Sequence, residues 1–214
     1  MGEKIKFKVC GLTRAEDAVA AAGAGANCLG FIFYPKSPRG ISLADFRAMK
    51  AGLPDLPKVA VLVTPETEEL QEFVDEGFDF FQVHFPVGLA KERISGWAQT
   101  TGSKRLWLVP KIAPDECFDE ALLELADTIL WDGFKKDAFG GTGKTSNWDQ
   151  FRELKERFSQ KQWILSGGLG LENLAAAIAK TDASFVDLNS GVEISPGIKD
   201  HEKLSAVKSL LSSD

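Results

Sequence analysis

Eight short apolar runs alternate along the chain with segments in which apolar residues recur at helical spacing. Most of the runs are nearly continuous, as expected for strands that are buried on both faces of a parallel sheet. The strands are predicted at residues 6–10, 28–33, 58–63, 78–84, 105–111, 127–132, 162–167 and 184–189. The helices are predicted at residues 13–24, 42–52, 66–76, 88–100, 115–126, 148–159, 171–180 and 201–211.

This eightfold alternation predicts an α/β fold, a (β/α)8 TIM barrel, and the loops described below indicate that it is of the phosphate-binding type. A doubly wound open sheet also alternates strands with helices, but eight units in about 200 residues favour a closed barrel. We find no linker, repeat or low-complexity segment in the sequence, so one barrel domain is expected over residues 1–214. Residues at the carboxyl ends of the strands would then meet at one mouth, however far apart they lie in the chain.

Composition narrows the class of ligand. Of the 214 residues, 44% are hydrophobic and 26% are charged, which is typical of a globular core. The net charge is −6 and no basic run exceeds two residues, so we expect no nucleic-acid partner. A small anionic ligand remains compatible with this charge, because backbone dipoles can bind it locally.

We also expect no membrane partner and a cytoplasmic location. The first residues, MGEKIKFKVCG, show no apolar signal region, and no stretch approaches 18 apolar residues. Cys10, Cys28 and Cys117 are too widely spaced for a disulfide framework or a zinc site, so no metal is expected.

Cys10 ends the first predicted strand and shares its side of the strand with Lys8. A neighbouring ammonium group would favour the thiolate, the form of cysteine that can accept a proton. The alternative is a small buried hydrophobic residue, which is how we interpret Cys28.

Asp132 directly follows the buried run Ile129-Leu130-Trp131 at the end of the sixth strand. A carboxyl group at this position is either a turn or helix cap or a catalytic group at the barrel mouth. The position at a strand end favours the catalytic interpretation.

Glycine-rich loops follow the seventh and eighth strands, where many barrels bind phosphate. Gly167 and Gly168 lie between a strand and a helix, so their backbone can approach an anion closely. Ser190 and Gly191 open the segment SGVEISPG, for which we expect a short extra helix. The two loops together predict a phosphorylated ligand, although each alone could be a tight turn.

The segment FGGTGKT at 139–145 is similar to a P-loop but lacks one of its glycines, because residue 138 is alanine. Its backbone around Gly141 and Gly143 could still bind a phosphate. The alternative is a flexible lid.

Three more polar residues lie at or near strand ends. Asp187 lies within the eighth strand, where an ionised carboxylate must be paired or must reach ligand hydroxyls. His84 ends the fourth strand, although a lone histidine is more often structural. Arg39 lies in YPKSPRG after the second strand and suits carboxylate recognition, or it is a solvated loop charge.

Taken in order, these segments resemble the phosphoribosylanthranilate isomerase family of tryptophan biosynthesis. The matching segments are KVCGLTRAEDA, LGFIFYPKSPRGIS, FFQVH, ILWDG, GGTGKTSNW, SGGLGLENL and VDLNSGVEISPGIKD. The chain departs from the family's usual residues at Phe85, Trp131 and Ser166.

The resemblance implies an Amadori rearrangement of N-(5-phosphoribosyl)anthranilate, a phosphorylated small molecule, without a metal or an organic cofactor. It implies that Asp132 is the general acid and Cys10 the general base. It implies that Arg39 binds the anthranilate carboxylate, that His84 contributes to substrate binding and that Asp187 contacts the sugar. The implied phosphate-binding residues are Gly141, Gly143, Gly167, Gly168, Ser190 and Gly191.

Two other functions remain open on the sequence. The histidine-pathway isomerase performs the same type of reaction with two carboxylates, and Cys10 at the first strand argues against it. A phosphate-binding barrel without catalysis is the other alternative, and the presence of both Cys10 and Asp132 argues against that. We expect a monomer rather than a homodimer, since no exposed apolar helix face is evident.

Overall fold

The computed structural model describes residues 4–113, 116–133 and 147–212. Its eight main strands are β1 (Lys6–Val9), β2 (Cys28–Ile32), β3 (Lys58–Val63), β4 (Phe80–Pro86), β5 (Leu106–Lys111), β6 (Thr128–Trp131), β7 (Gln162–Leu165) and β8 (Phe185–Leu188). All pair in parallel and in chain order, and β8 closes the barrel by pairing with β1. The predicted α/β (β/α)8 barrel is therefore confirmed.

Seven α-helices surround the described part of the barrel. They are α1 (Ala15–Gly23), α2 (Leu43–Met49), α3 (Thr67–Glu76), α4 (Lys91–Thr101), α5 (Trp148–Arg157), α6 (Leu174–Thr181) and α7 (His201–Ser212). A 3-10 turn at Lys50–Gly52 continues α2. The longest of these helices has 12 residues, and none in the described ranges combines the length and hydrophobicity of a membrane span.

The helix predicted at 115–126 is wrong. Only Glu120–Glu124 is helical, as a short 3-10 helix, and residues 114 and 115 lie outside the described part of the chain. The Asp119 carboxylate accepts a hydrogen bond from the Ala121 amide at 3.0 Å. This local hydrogen bond disfavours a longer α-helix, because it gives the backbone amide a side-chain acceptor in place of a helical carbonyl.

The short extra helix expected after Gly191 is also wrong, because the segment forms a β-hairpin. Strand β9 (Glu193–Ser195) pairs antiparallel with β10 (Ile198–Lys199). The turn between them contains Pro-Gly, and Gly197 has φ +84°. Proline followed by a glycine of positive φ is typical of a type II turn, which reverses the chain and prevents a helix.

Alternation along the strands separates two apolar layers. Inside the barrel, nine buried residues form one cluster: Cys10, Cys28, Val59, Val61, Trp107, Val109, Leu130, Ile164 and Phe185. The intervening residues face the helices and join a larger cluster that includes Phe7, Val83 and Trp163. Inward-facing residues just beyond the carboxyl ends of the strands therefore face the mouth of the barrel.

Candidate active site

A cavity at the carboxyl ends of the strands brings together most of the residues predicted from the sequence. It is lined by Cys10, Arg39, His84, Asp132, Gly167, Gly168, Asp187 and Ser190, among others. Gly141 and Gly143 lie outside the described residues. Residues separated by more than 170 positions thus share one site because the parallel strands all end on the same side.

A buried ion pair crosses the floor of this cavity. Lys8 Nζ lies 2.8 Å from Asp187 Oδ1, and both side chains are almost fully buried. A methyl group at Gly30 would lie 2.6 Å from Lys8 Cε and 3.1 Å from Cys10 Sγ. The absence of a side chain on β2 therefore makes room for both residues. The alternative of a paired carboxylate, left open for Asp187, is the one observed.

Cys10 is a buried thiol next to this pair. Burial raises the pKa of Cys10 above its ordinary value of 9.0, while the Lys8 ammonium group lowers it. The effect expected from Lys8 is present, but Asp187 neutralises part of the ammonium charge and burial outweighs the rest. The thiol form therefore predominates in the ligand-free protein at neutral pH.

The pKa of Asp132 is higher than that of an ordinary surface carboxylate. Burial raises its pKa from 3.8 to about 6, with a further increase from the Asp187 charge. Hydrogen bonds from the Gly133 amide, at 2.8 Å, and from the Ser166 hydroxyl partly oppose the increase. This carboxyl group is thus adjusted to exchange a proton near neutral pH.

Gln82, which the sequence reasoning missed, fixes the protonation of His84. Lys8 Nζ donates to Gln82 Oε1 at 2.8 Å, so the amide nitrogen of Gln82 faces His84 Nε2, 2.9 Å away. Burial lowers the pKa of His84 to about 3, so its ring is neutral. Nε2 must then accept the bond and the proton lies on Nδ1. The signal was available, because residues 82 and 84 share one side of β4.

The loop after β2 places Arg39 over the mouth. The Ser37 and Gly40 amides each close a turn, onto Tyr34 O and Ser37 O respectively, at 2.9 Å. A Cβ atom at Gly11 would lie 2.8 Å from Arg39 Cδ. The glycine after Cys10 therefore lets the arginine cross the end of β1.

Arg39 is buried and not a solvated loop charge. Its Nε and Nη2 atoms contact the Glu193 carboxylate at 2.8 and 2.7 Å. Lys199 Nζ contacts the same carboxylate at 2.8 Å. The sequence reasoning missed Glu193 and Lys199, since both belong to the hairpin that was predicted as a helix.

The two Gly-rich loops meet at one side of the cavity. Gly167 and Gly168 have φ values of +95° and +63°, which L side chains rarely adopt. Gly191 packs against the loop after β7, and a Cβ atom there would overlap Leu169 O. The helix expected from residue 171 begins at Leu174, so Gly168 is one turn farther from the helix than predicted.

Two departures from the resembled family point away from the cavity. Phe85 packs on Trp97, with ring centroids 5.7 Å apart. Trp131 packs on Phe118 and Trp163, at 6.2 and 6.5 Å. Both side chains belong to the layer between strands and helices, so neither alters the cavity wall. The third, Ser166, lines the cavity.

The fold and the cavity define a (β/α)8 barrel whose titratable groups are gathered at the carboxyl ends of its strands, the usual place of catalysis in this fold. Residues 7–209 match the family model described as N-(5'-phosphoribosyl)anthranilate (PRA) isomerase. The isomerase of that name from Aquifex aeolicus is 38% identical, with 94% of this chain and 95% of the relative covered.

Solved structures give the same result. The phosphoribosyl anthranilate isomerase of Thermotoga maritima is 33% identical, with a TM-score of 0.77 over 94% of this chain and 96% of that one. Another isomerase of this name, in complex with reduced 1-(o-carboxyphenylamino)-1-deoxyribulose 5-phosphate, is 29% identical, with a TM-score of 0.74 over 95% and 96%. The chain belongs to the N-(5'-phosphoribosyl)anthranilate isomerase family.

Proposed function

We propose that this isomerase converts N-(5'-phosphoribosyl)anthranilate to 1-(o-carboxyphenylamino)-1-deoxyribulose 5-phosphate in tryptophan biosynthesis, with Asp132 as general acid and Cys10 as general base. The observation that carries the assignment is that a carboxyl of raised pKa and a thiol beside a buried ammonium line one cavity. Two neighbouring titratable groups whose environments give them different pKa values are typical of acid–base catalysis.

The first step needs an acid. Asp132 donates its proton to the ring oxygen of the ribose, and the C1–O bond breaks as the nitrogen lone pair forms the Schiff base. The nitrogen of the substrate thereby supplies the electron sink, so the step uses no metal or organic cofactor. The raised pKa of Asp132 favours the protonated form that this step consumes.

The second step needs a base. The Cys10 thiolate removes the proton from C2, and the C2–H electrons form the enolamine double bond while the iminium charge is neutralised. A proton then moves from the C2 hydroxyl to C1 to give the ketone. One proton transferred from the Cys10 thiol to the Asp132 carboxylate restores the starting enzyme, so the isomerisation is balanced.

The remaining residues would bind the two ends of the substrate. Arg39 would contact the anthranilate carboxylate, Asp187 and the Nδ1–H group of His84 would contact the sugar, and the loops at Gly168 and Ser190 would hold the phosphate. The ligand of the structurally related isomerase carries the same carboxyphenyl and phosphate groups.

We also infer that the chain works as a cytoplasmic monomer made of one barrel domain. The large hydrophobic side chains exposed in the described ranges are Val19, Val87, Ile194 and Ile198, too few for an extensive apolar interface. Sedimentation at micromolar concentration checks the oligomeric state, and a dimer mass would contradict it.

The experiment that tests the proposed reaction is direct turnover. Purified protein is supplied with freshly formed N-(5'-phosphoribosyl)anthranilate, and the loss of its fluorescence is followed. Turnover with product formation supports the assignment. A folded protein that binds the substrate and leaves it unchanged would contradict it and favour a non-catalytic barrel.

The pH dependence of kcat/KM is expected to show a plateau between two inflections. Because the pKa of Asp132 is about 6 and burial raises the pKa of Cys10 above its ordinary range, the protonated acid and the thiolate coexist in only a small fraction of the enzyme molecules. Between the two pKa values the thiolate increases as the protonated carboxyl decreases, so their product stays constant. Below pH 6 only the thiolate declines, and above the Cys10 pKa only the acid declines.

This profile is checked by initial rates from pH 5 to 10. A profile that is still flat at pH 5 would show that burial does not raise the pKa of Asp132 from 3.8 in the working enzyme. Because kcat/KM reports the free enzyme, the profile can be compared directly with the ligand-free structure.

Arg39→Ala is expected to raise KM about ten- to a hundredfold and to change kcat much less. Loss of a charge-assisted hydrogen bond corresponds to roughly 1.5–3 kcal/mol. The measurement is steady-state kinetics on folded protein. Arg14→Ala is the matched control, because Arg14 makes a similar two-point contact with Asp17, at 3.1 and 2.7 Å, away from the cavity. An unchanged KM in Arg39→Ala would contradict the role.

Gly168→Leu is expected to raise the inhibition constant of inorganic phosphate at least about tenfold, because the side chain would occupy the space of the anion and strain a backbone of φ +63°. Gly77→Leu is the control for strain, since Gly77 has φ +90° and open space around it. Competitive inhibition by phosphate is measured for both variants. Equal inhibition constants in Gly168→Leu and wild type would place the phosphate elsewhere.

A further inference from the structure

Arg39 does not stand alone at the cavity wall but belongs to a buried cluster with Glu193 and Lys199. The exposed fractions of the three side chains are 8%, 4% and 0%. Removal of such groups from water is unfavourable unless their charges and hydrogen bonds are satisfied. The three charged groups therefore stabilise one another, and both the geometry and the net charge of the cluster affect which ligand Arg39 can bind.

Glu193 uses only one edge of the guanidinium group of Arg39. Glu193 occupies the edge formed by Nε and Nη2, with contacts of 2.8 Å from Nε to Oε1 and 2.7 Å from Nη2 to Oε2. A guanidinium group has five N–H donors in one plane, so the edge formed by Nη1 and Nη2 can bind a second carboxylate. Arg39 lines the cavity, which is where that second carboxylate would lie.

The charge of the cluster is set by Lys199. Its Nζ atom contacts three acceptors, Glu193 Oε1 at 2.8 Å, Asn189 Oδ1 at 3.0 Å and Asn189 O at 3.3 Å. Three acceptors require three N–H donors, so the amine is protonated. Two cations therefore share the single carboxylate of Glu193. The cluster keeps one net positive charge, whereas Arg39 and Glu193 alone would be neutral and would attract an anion weakly.

We propose that Glu193 and Lys199 are positioning residues that give Arg39 its selectivity for the aromatic carboxylate of the substrate. Glu193 fixes the plane of the guanidinium group, and Lys199 offsets the charge of Glu193 so that Arg39 still attracts an anion. The inference rests on the proposed function, because that function supplies the carboxylate. It assigns to the β9–β10 hairpin a specific part in substrate recognition.

The test compares two ligands that differ only in this carboxylate. One is reduced 1-(o-carboxyphenylamino)-1-deoxyribulose 5-phosphate, and the other is the same molecule with an unsubstituted phenyl ring. The selectivity ratio is the Kd of the phenyl compound divided by the Kd of the carboxyphenyl compound. A general loss of structure weakens both ligands together, whereas loss of carboxylate recognition lowers the ratio.

Lys199→Met removes the compensating charge while Glu193 still holds Arg39, and we expect the ratio to fall about tenfold. Glu193→Gln alone would leave two buried cations without a carboxylate and endanger folding. The double variant Glu193→Gln/Lys199→Met avoids this, since it keeps one net positive charge and removes only the fixed orientation. We again expect about a tenfold fall, with the Kd of inorganic phosphate within about twofold of wild type.

Lys203→Met is the matched control. Lys203 Nζ contacts the backbone oxygen of Glu193 at 2.9 Å but has no contact with its carboxylate. We expect its selectivity ratio to equal that of wild type. A ratio within about twofold of wild type in the folded double variant, or in Lys199→Met, would overturn the inference. Failure of the wild-type protein to bind the carboxyphenyl compound or to turn over the substrate would instead overturn the proposed function.

Discussion

Asp132→Asn is expected to lower kcat about 10²–10⁴-fold, because the amide cannot donate a proton to the ring oxygen of the substrate. The asparagine side chain keeps the shape of the carboxyl group and can still accept the hydrogen bond from the Gly133 amide. The Kd of the carboxyphenyl ligand should therefore change much less than kcat. Single-turnover kinetics and ligand titration separate these two quantities.

The same variant is expected to be at least as stable as wild type at neutral pH. The pKa of Asp132 is raised from 3.8 to about 6 on folding, so ionisation destabilises the folded state. This penalty is absent below pH 3.8, develops as the pH rises to 6 and is complete above it. Thermal unfolding at pH 7.5 checks the sign, and a markedly lower Tm would contradict it.

Asp127→Asn is the matched control for catalysis. Asp127 precedes the same strand at its opposite end, where it pairs with Lys161 at 3.2 Å. Its substitution should leave kcat near the wild-type value. If Asp132→Asn also retained wild-type turnover, the ring-opening acid would have to be another group.

Cys10→Ser is expected to lower kcat about 10²–10⁴-fold, since a hydroxyl group is a far weaker base than a thiolate in the same place. Because removal of the C2 proton is the step assigned to Cys10, the substitution should slow this step in particular and make it limit the rate. Turnover of substrate deuterated at C2 gives the second measurement. A primary isotope effect that is larger than in wild type would show that proton removal has become the slow step.

Cys28→Ser is the control, because Cys28 is also buried inside the barrel. Burial raises its pKa to about 12, so it does not serve as a base. Both serine variants place a hydroxyl in an apolar layer, and their losses of stability should be similar. Equal losses of kcat in the two variants would mean that the effect of Cys10→Ser is structural.

The barrel could be predicted because its strands and helices are each indicated by patterns of neighbouring residues in the sequence. Continuous apolar runs and helical spacing identify strands and helices within about ten residues, and eight alternations leave few ways to pair the strands in order. The two elements that were wrong, the helix at 115–126 and the helix after Gly191, fail for equally local reasons. Asp119 engages a backbone amide in a turn, and the Pro-Gly pair before Ile198 reverses the chain.

Much of the candidate site could also be predicted from the residues at the ends of the strands. Cys10, Asp132 and Asp187 lie at or near the carboxyl ends of strands, and the closed barrel places them around one cavity. The contact of Glu193 with Arg39 could not be predicted in this way. Its partner Arg39 is 154 positions away, and no periodicity links a hairpin residue to a loop residue across the barrel.

The amino-acid order therefore specified the strands, their sequence around the barrel and the residue types available at its mouth. The three-dimensional arrangement specified their protonation and partners. The pKa of a group depends on its burial and on charges within a few ångströms, and neither quantity is a property of neighbouring residues in the chain. Lys8 and Asp187 are 179 positions apart yet form one ion pair. Burial raises the pKa of both Cys10 and Asp132, the Asp187 charge adds to each increase, and the Lys8 charge opposes it.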